Sequence, residues 1–292
     1  MKINMIDPDK VIVTAAITGG VHGKFANEAL PQQPDEQAQA AYDCYNAGAA
    51  VVHLHVRDKR GFSTPDLNVY NEVIAKIRQR CPIICQVGNG IGAIVDENWD
   101  HRLASQEERV NLLNIEPKPE MLTINAGTFT FVTNLGNSLF LNPPEFNEEF
   151  VTGCNQRGIG VECEVYDVGH VANVLNLVEK GILKTPVHFS FVLGIGGGIP
   201  ATPQNLLRLV DEIPDGSSWQ VITIGKYHLP MTMLGLSMGA NIRTGLEDTI
   251  YYSKGELASS NAQLVERVVH MAHEMGREVA TVEEAKQMLH LS

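Results

Sequence analysis

Ala50-Val51-Val52-His53-Leu54-His55-Val56 is a run of β-branched and apolar residues interrupted only by two histidines. A run this short and this rich in β-branched side chains predicts a strand covered on both faces, as in a parallel sheet. Amphipathic stretches flank it. Residues 34–47 open Pro-Asp-Glu-Gln and residues 67–79 follow Pro65-Asp66, both helix-start signals. Helix, buried strand, helix is the repeating unit of a parallel α/β fold.

The unit recurs along the chain. Strand-like runs fall at residues 11–17, 83–87, 121–125, 159–165, 187–193, 219–224 and 240–244, which with 50–56 makes eight. Helical patterns occupy 168–180, 203–213 and 259–275, and Thr281-Val282-Glu283-Glu284 caps a further helix over 281–289. The turn after the first strand, Thr18-Gly19-Gly20-Val21-His22-Gly23, lacks the G-x-G-x-x-G spacing of a dinucleotide site. Eight strands without that turn favour a closed (β/α)8 TIM barrel over an open doubly wound sheet. The expectation is a single α/β barrel domain over residues 1–292, with its chemistry at the C-terminal strand ends.

Composition narrows the partners. A formal net charge of -12 argues against nucleic acid, because a phosphate backbone is bound by a basic surface. Hydrophobic residues make up 44% of the chain, enough for a sizeable core. The first eight residues are too polar for a signal segment and no apolar run reaches spanning length, so the expected protein is cytoplasmic with no membrane partner. Cys44, Cys81, Cys85, Cys154 and Cys163 form an odd set, and Cys81/Cys85 lack a second pair for a metal site, so they are expected as reduced thiols.

In a strand, residues two apart point the same way, so His53 and His55 project together while Val52, Leu54 and Val56 face the helices. A buried, hydrogen-bonded histidine pair is the competing role. The third ligand sought is Glu247, in Asn241-Ile242-Arg243-Thr244-Gly245-Leu246-Glu247-Asp248. Barrel closure puts strand eight beside strand one, hence about 10 Å from strand two at roughly 4.8 Å per step. Two histidines and a carboxylate suit catalytic Zn2+, and also iron(II) or manganese. Arg243 beside Asp248 can bind an anion while Asp248 acts as general base, with an ordinary ion pair as the alternative.

Taken together, Thr14-Ala15-Ala16-Ile17-Thr18-Gly19, the segment 48–58 containing HLHVRD, Asn125-Ala126-Gly127-Thr128, Phe191-Val192-Leu193-Gly194, Arg243 to Asp248 and Ser260-Asn261-Ala262-Gln263-Leu264-Val265 resemble the β-keto acid cleavage enzymes. The resemblance runs from about residue 10 to the C-terminus in the same order. It implies a zinc-dependent barrel, a homotetramer, that converts a β-keto acid and acetyl-CoA into acetoacetate and a new acyl-CoA. By that resemblance His53, His55 and Glu247 are the metal ligands and Arg243 and Asp248 the deprotonating pair. Thr123 matches a further active-site position, although a strand threonine needs no such role. Gly196 and Gly197, within Gly194-Ile195-Gly196-Gly197-Gly198-Ile199-Pro200, are expected to contact phosphate or substrate, or to belong to a lid.

The chain departs from the pattern at several positions. The family member that takes an amino-bearing keto acid carries a glutamate where Val21 stands here, so a cationic tail loses its counter-ion. His22 is the neighbouring candidate for a polar substrate contact. Gly88 replaces a serine, so either Asn89 or a water fills its place or the Arg243/Asp248 pair acts without it. Asn241 and Thr249 also differ from the residues typical beside the glutamate ligand. The alternatives are a CoA-independent metal-dependent lyase or aldolase on the same barrel, and a sensor that binds without turnover.

Overall fold

The computed structural model describes residues 9–133 and 136–291. Eight parallel strands close into a barrel: β1 (Val13–Ala16), β2 (Val51–Leu54), β3 (Ile84–Val87), β4 (Met121–Asn125), β5 (Gly160–Val165), β6 (His188–Leu193), β7 (Ser218–Thr223) and β8 (Asn241–Thr244). They pair in chain order and β8 returns to β1. Each strand falls within two residues of its expected place. The helices α1 (Pro34–Asn46), α2 (Leu67–Arg78), α5 (Val168–Glu179), α6 (Pro203–Glu212) and α8 (Asn261–Glu274) lie where their start signals put them.

Period-two alternation sorts the strands into two layers. Outward side chains such as Val52, Leu54 and Val56 join Val73, Ile74 and Ile77 of α2 in the main apolar layer. At the N-terminal end of the barrel, inward Ile12, Val51, Ile84 and Met121 pack against Ala280, Val282 and Ala285. The last two belong to α9 (Val282–Met288), whose Thr281/Glu284 capping box is the one read from sequence. A helix of two turns is marginal alone, so α9 depends on this burial, at about 1.5–3 kcal/mol per large side chain. It closes the bottom of the barrel and leaves the opposite mouth for chemistry.

Elements not foreseen are α3 (Gln106–Asn111), α4 (Pro144–Arg157), α7 (His228–Ser237) and three antiparallel hairpins. In α7 the apolar residues run around the helix instead of along one stripe, so the sequence carries little 3.6-residue signal. The hairpin built from Phe129–Thr133 and Gly136–Phe140 follows β4 and stands at the mouth. All five cysteines are buried and unpaired, as expected.

Candidate metal and acyl-transfer site

His53 and His55 share the inward face of β2, and both are buried. The Nδ1–H of His53 donates to Gln86 Oε1 at 2.7 Å, which leaves its Nε2 lone pair pointing into the mouth. The two Nε2 atoms lie 3.2 Å apart and each is 3.7 Å from Glu247 Oε1. Glu247 reaches this point through a sharp turn. Gly245 has φ +147°, and a Cβ there would collide with the Ala16 carbonyl oxygen. The Glu247 amide then donates to that same oxygen at 3.1 Å.

These donors fit a divalent ion. Bonds of about 2.0–2.1 Å in a tetrahedral site set two nitrogens roughly 3.3 Å apart, close to the observed 3.2 Å. Burial, then the charge of Arg243, holds both imidazoles neutral, His53 well below its ordinary pKa and His55 at about 3. Neutral imidazole is the ligating form. Burial pushes the Glu247 carboxyl upward against Arg243, with Asp248 and Glu164 adding to the rise. Two imidazole Nε2 atoms and a carboxylate that resists ionisation therefore face one point, where a cation would find all three donors. Among the described residues these three form a group able to hold a metal.

Beside the triad, Arg243 makes a fork to Asp248 with Nε and Nη2 each at 3.0 Å, and Nη2 also reaches Glu247 Oε1 at 2.6 Å. Its Nη1 is buried without a hydrogen bond, 3.7 Å from Glu164 Oε1. Burial opposes the guanidinium charge, but the Asp248, Glu247 and Glu164 carboxylates hold its pKa far above the ordinary value. Glu164, in turn, is raised to about 7, chiefly by burial. Tyr166 Oη lies 2.7 Å from both Glu164 Oε2 and Asn125 Oδ1.

The other anticipated residues are distributed around this centre. Gly88 lies directly under the histidines: a Cβ there would come 2.5 Å from His55 Nε2 and 3.0 Å from His53 Nε2. A serine at this position requires the rings to shift, so the glycine and this ring placement belong together. Thr123 Oγ1 accepts from the Asn89 amide at 3.1 Å, which ties β4 to the loop after β3. The Asn89 side chain accepts from Arg109 Nε at 2.8 Å and also from Nη2, leaving its Nδ2 buried and unpartnered. Val21 is 61% exposed in the loop after β1, and His22 beside it is half-buried. The His22 carbonyl accepts from Arg57 Nη2 at 2.6 Å. Gly196 and Gly197 are exposed and abut the hairpin after β4, where Val132 N donates to Gly196 O at 3.0 Å. Asn241 bonds Ser218 Oγ and the Ile12 amide, and Thr249 Oγ1 bonds Tyr251. None of those bonds touches Glu247.

Residues 10–291 match the family model described as beta-keto acid cleavage enzyme. The chain belongs to that family. It is 37% identical over 284 residues to the 3-keto-5-aminohexanoate cleavage enzyme of Fusobacterium nucleatum subsp. nucleatum, covering 97% of this chain and 98% of the relative. It is also 32% identical over 287 residues to the 3-oxoadipate:acetyl-CoA acetyltransferase of Cupriavidus necator, covering 96% and 94%. The solved apo structure of ObcA superposes with a TM-score of 0.73 at 19% identity, over 90% of this chain and 66% of that one, and supports the barrel fold.

This β-keto acid cleavage family member also carries buried groups at its site outside the His53–His55 and Arg243–Asp248 motifs. Glu162 and Glu164 alternate on β5 as His53 and His55 do on β2, and the same period-two reasoning applied to Glu162-Cys163-Glu164 finds them. Gln86 and Tyr166 emerge only from the register. Arg109 is a buried cation whose partners are Asn89, the Leu141 carbonyl and Asn142, and it stacks over Phe140 and Phe146 at 4.7 and 4.4 Å. Its neutral partners lie far apart in sequence, so no local pattern announces it.

Proposed function

We propose that this enzyme converts a β-keto acid and acetyl-CoA into acetoacetate and a new acyl-CoA, as a metal-dependent C-acyltransferase. The observation that carries the reading is the convergence of His53, His55 and Glu247 beside the Arg243–Asp248 fork, on a chain of this family. A divalent ion held by the triad, zinc by its donor set, supplies Lewis-acid stabilisation for negative oxygen on the substrates.

The chain's own groups supply the rest. Arg243 fixes Asp248 through two N–H bonds, and the Asp248 carboxylate accepts the proton from the carbon between the two carbonyls. That carbon attacks the acetyl carbonyl and the CoA thiolate leaves. Return of the thiolate to the original ketone carbon breaks the chain into acyl-CoA and the acetoacetate carbanion, which takes its proton back from Asp248. The unpartnered Arg243 Nη1 and Asn89 Nδ2 are donors for substrate oxygens, with Thr123 holding the Asn89 loop and Gly88 giving the histidines room.

Val21 leaves its position in the loop after β1 without a carboxylate, so a tail other than an ammonium is favoured, with His22 and the exposed Gly196–Gly197 turn as further contacts. The same proposal makes residues 1–292 one catalytic domain, homotetrameric and cytoplasmic; among the described residues no helix is long and apolar enough to cross a membrane. The test is a panel of β-keto acids with apolar, acidic and cationic tails, incubated with zinc-loaded protein with and without acetyl-CoA. Acetoacetate from one tail class only when acetyl-CoA is present supports the proposal. Cleavage without acetyl-CoA points instead to the lyase.

A further inference from the structure

The loop after β7 is bound to the site yet takes no part in the chemistry described above. Gly225 N donates to the carbonyl of Asp248 at 2.8 Å, and His228 Nε2 lies 2.9 Å from Thr244 Oγ1 at the end of β8. Two exposed residues sit between these anchors, Lys226 and Tyr227. The Lys226 ammonium lies 4.9 Å from the centroid of the Tyr227 ring. The other side of the loop meets the glycine-rich turn after β6, since a Cβ on Gly194 would stand 3.2 Å from Tyr227 Cδ2.

Most other cations around the mouth are already engaged. Lys24 faces Glu36, Arg60 faces Asp58 and Arg102 faces Glu108. Arg57 donates to the carbonyls of Gly19, His22 and Gly61, and Arg243 is enclosed by carboxylates. Lys59, Lys254 and Lys226 are exposed and form no ion pair with a carboxylate among the described residues, and of these Lys226 is the one next to the Gly225–Asp248 backbone bond. A cation left available on an acidic protein, fixed by its loop to the general base, is placed to receive an anion. We propose that Lys226, held by Tyr227 against the Gly194–Pro200 turn, is the rim subsite for the phosphate groups of acetyl-CoA.

Position selects the phosphates over the keto acid. A β-keto acid is small enough to be enclosed at the metal triad, whereas the CoA arm has to lead out of the mouth to solvent, where Lys226 is exposed. The inference rests on the acetyl-CoA reading above, and its test is separable from it. The proteins compared are wild type, Lys226→Met and Lys226→Arg, each zinc-loaded, with acetyl-CoA and with acetyl-pantetheine, which lacks the phosphates of the nucleotide end.

Lys226→Met is expected to raise KM for acetyl-CoA by about fivefold to tenfold, the loss of one charged hydrogen bond at a partly exposed site. KM for the keto acid and all constants for acetyl-pantetheine should stay within about twofold, since neither includes the lost contact. Lys226→Arg should restore most of the acetyl-CoA affinity. Equal losses with both thioesters, or a rise confined to the keto acid, would overturn the assignment. Calorimetric binding of CoA against pantetheine scores Lys226 even if the wild type forms no acetoacetate, an outcome that removes the acetyl-CoA reading by itself.

Discussion

The barrel interior contains two groupings of histidine and carboxylate, one above the other, and they are wired in opposite senses. In the lower one His188 Nε2 meets Glu162 Oε2 at 3.1 Å, Nδ1 meets Ser218 Oγ at 2.8 Å, and Asn241 Nδ2 donates to that hydroxyl at 2.9 Å. Glu162 Oε2 also accepts from Gln86 at 2.7 Å and Gln220 at 3.3 Å. Burial pushes the Glu162 pKa up, yet the bond and charge of His188, the Ser190 hydroxyl and the charge of Arg243 together outweigh it and the net shift is downward. In the upper grouping His53 Nε2, His55 Nε2 and Glu247 Oε1 converge on one point, and His55 Nδ1 is buried without a hydrogen-bond partner. Donors facing acceptors make a structural knot, and ligand atoms converging on one point make a place for a cation. Gln86 joins the two, its Oε1 on His53 and its Nε2 on Glu162.

The largest expected effect removes the upper grouping. His53→Ala should lower turnover by on the order of a thousandfold or more, since a metal contributes several kcal/mol of charge stabilisation. Metal analysis of the same variant should show a lost ion, whereas Glu162→Ala should keep it. Glu162→Ala breaks a buried pair instead and should cost about 3–5 kcal/mol of stability, read by denaturant unfolding. Metal loss from Glu162→Ala at native fold would erase the distinction drawn between the two groupings.

Gln86→Leu tests the link. It should weaken metal affinity by about 10–100-fold, measured by competition with a chelator, while leaving the fold intact. Arg109→Met probes a different support. Removing the cation that holds Asn89 should raise KM for the keto acid and lower kcat together, by about tenfold, without loss of metal. The smallest effect is a pH slope. His55 stays neutral down to about 3 in the fold because it is buried, while the unfolded chain takes up a proton near the ordinary histidine value of 6.5. Stability of the metal-free protein is therefore fully present above that value and is lost as pH falls below it, by up to about 1.4 kcal/mol per unit for this group. Unfolding at pH 7 and pH 5 should show the slope in wild type and a shallower one in His55→Asn.

The framework was legible because strand and helix signals agreed locally: Val51 to Leu54 between capped helices needs no tertiary information to be read as a buried strand. The metal triad was legible for a related reason, since period two aligns His53 with His55 and barrel closure brings Glu247 across. The lower grouping was not. His188 and Glu162 are partners only through the β5–β6 register, and a run treated as apolar conceals the acids that alternate within it. Arg109 lay further out of reach, because its partners Asn89 and Asn142 come from separate loops and carry no charge that would signal a pair.

The central claim is tested most directly by supplying acetyl-CoA labelled with carbon-13 in both acetyl carbons, together with the β-keto acid turned over best, and following the products by mass spectrometry. The account predicts that both labelled carbons appear in the keto and methyl positions of acetoacetate and that the acyl group of the new thioester is unlabelled. Unlabelled acetoacetate, or cleavage that proceeds at the same rate without acetyl-CoA, would contradict it.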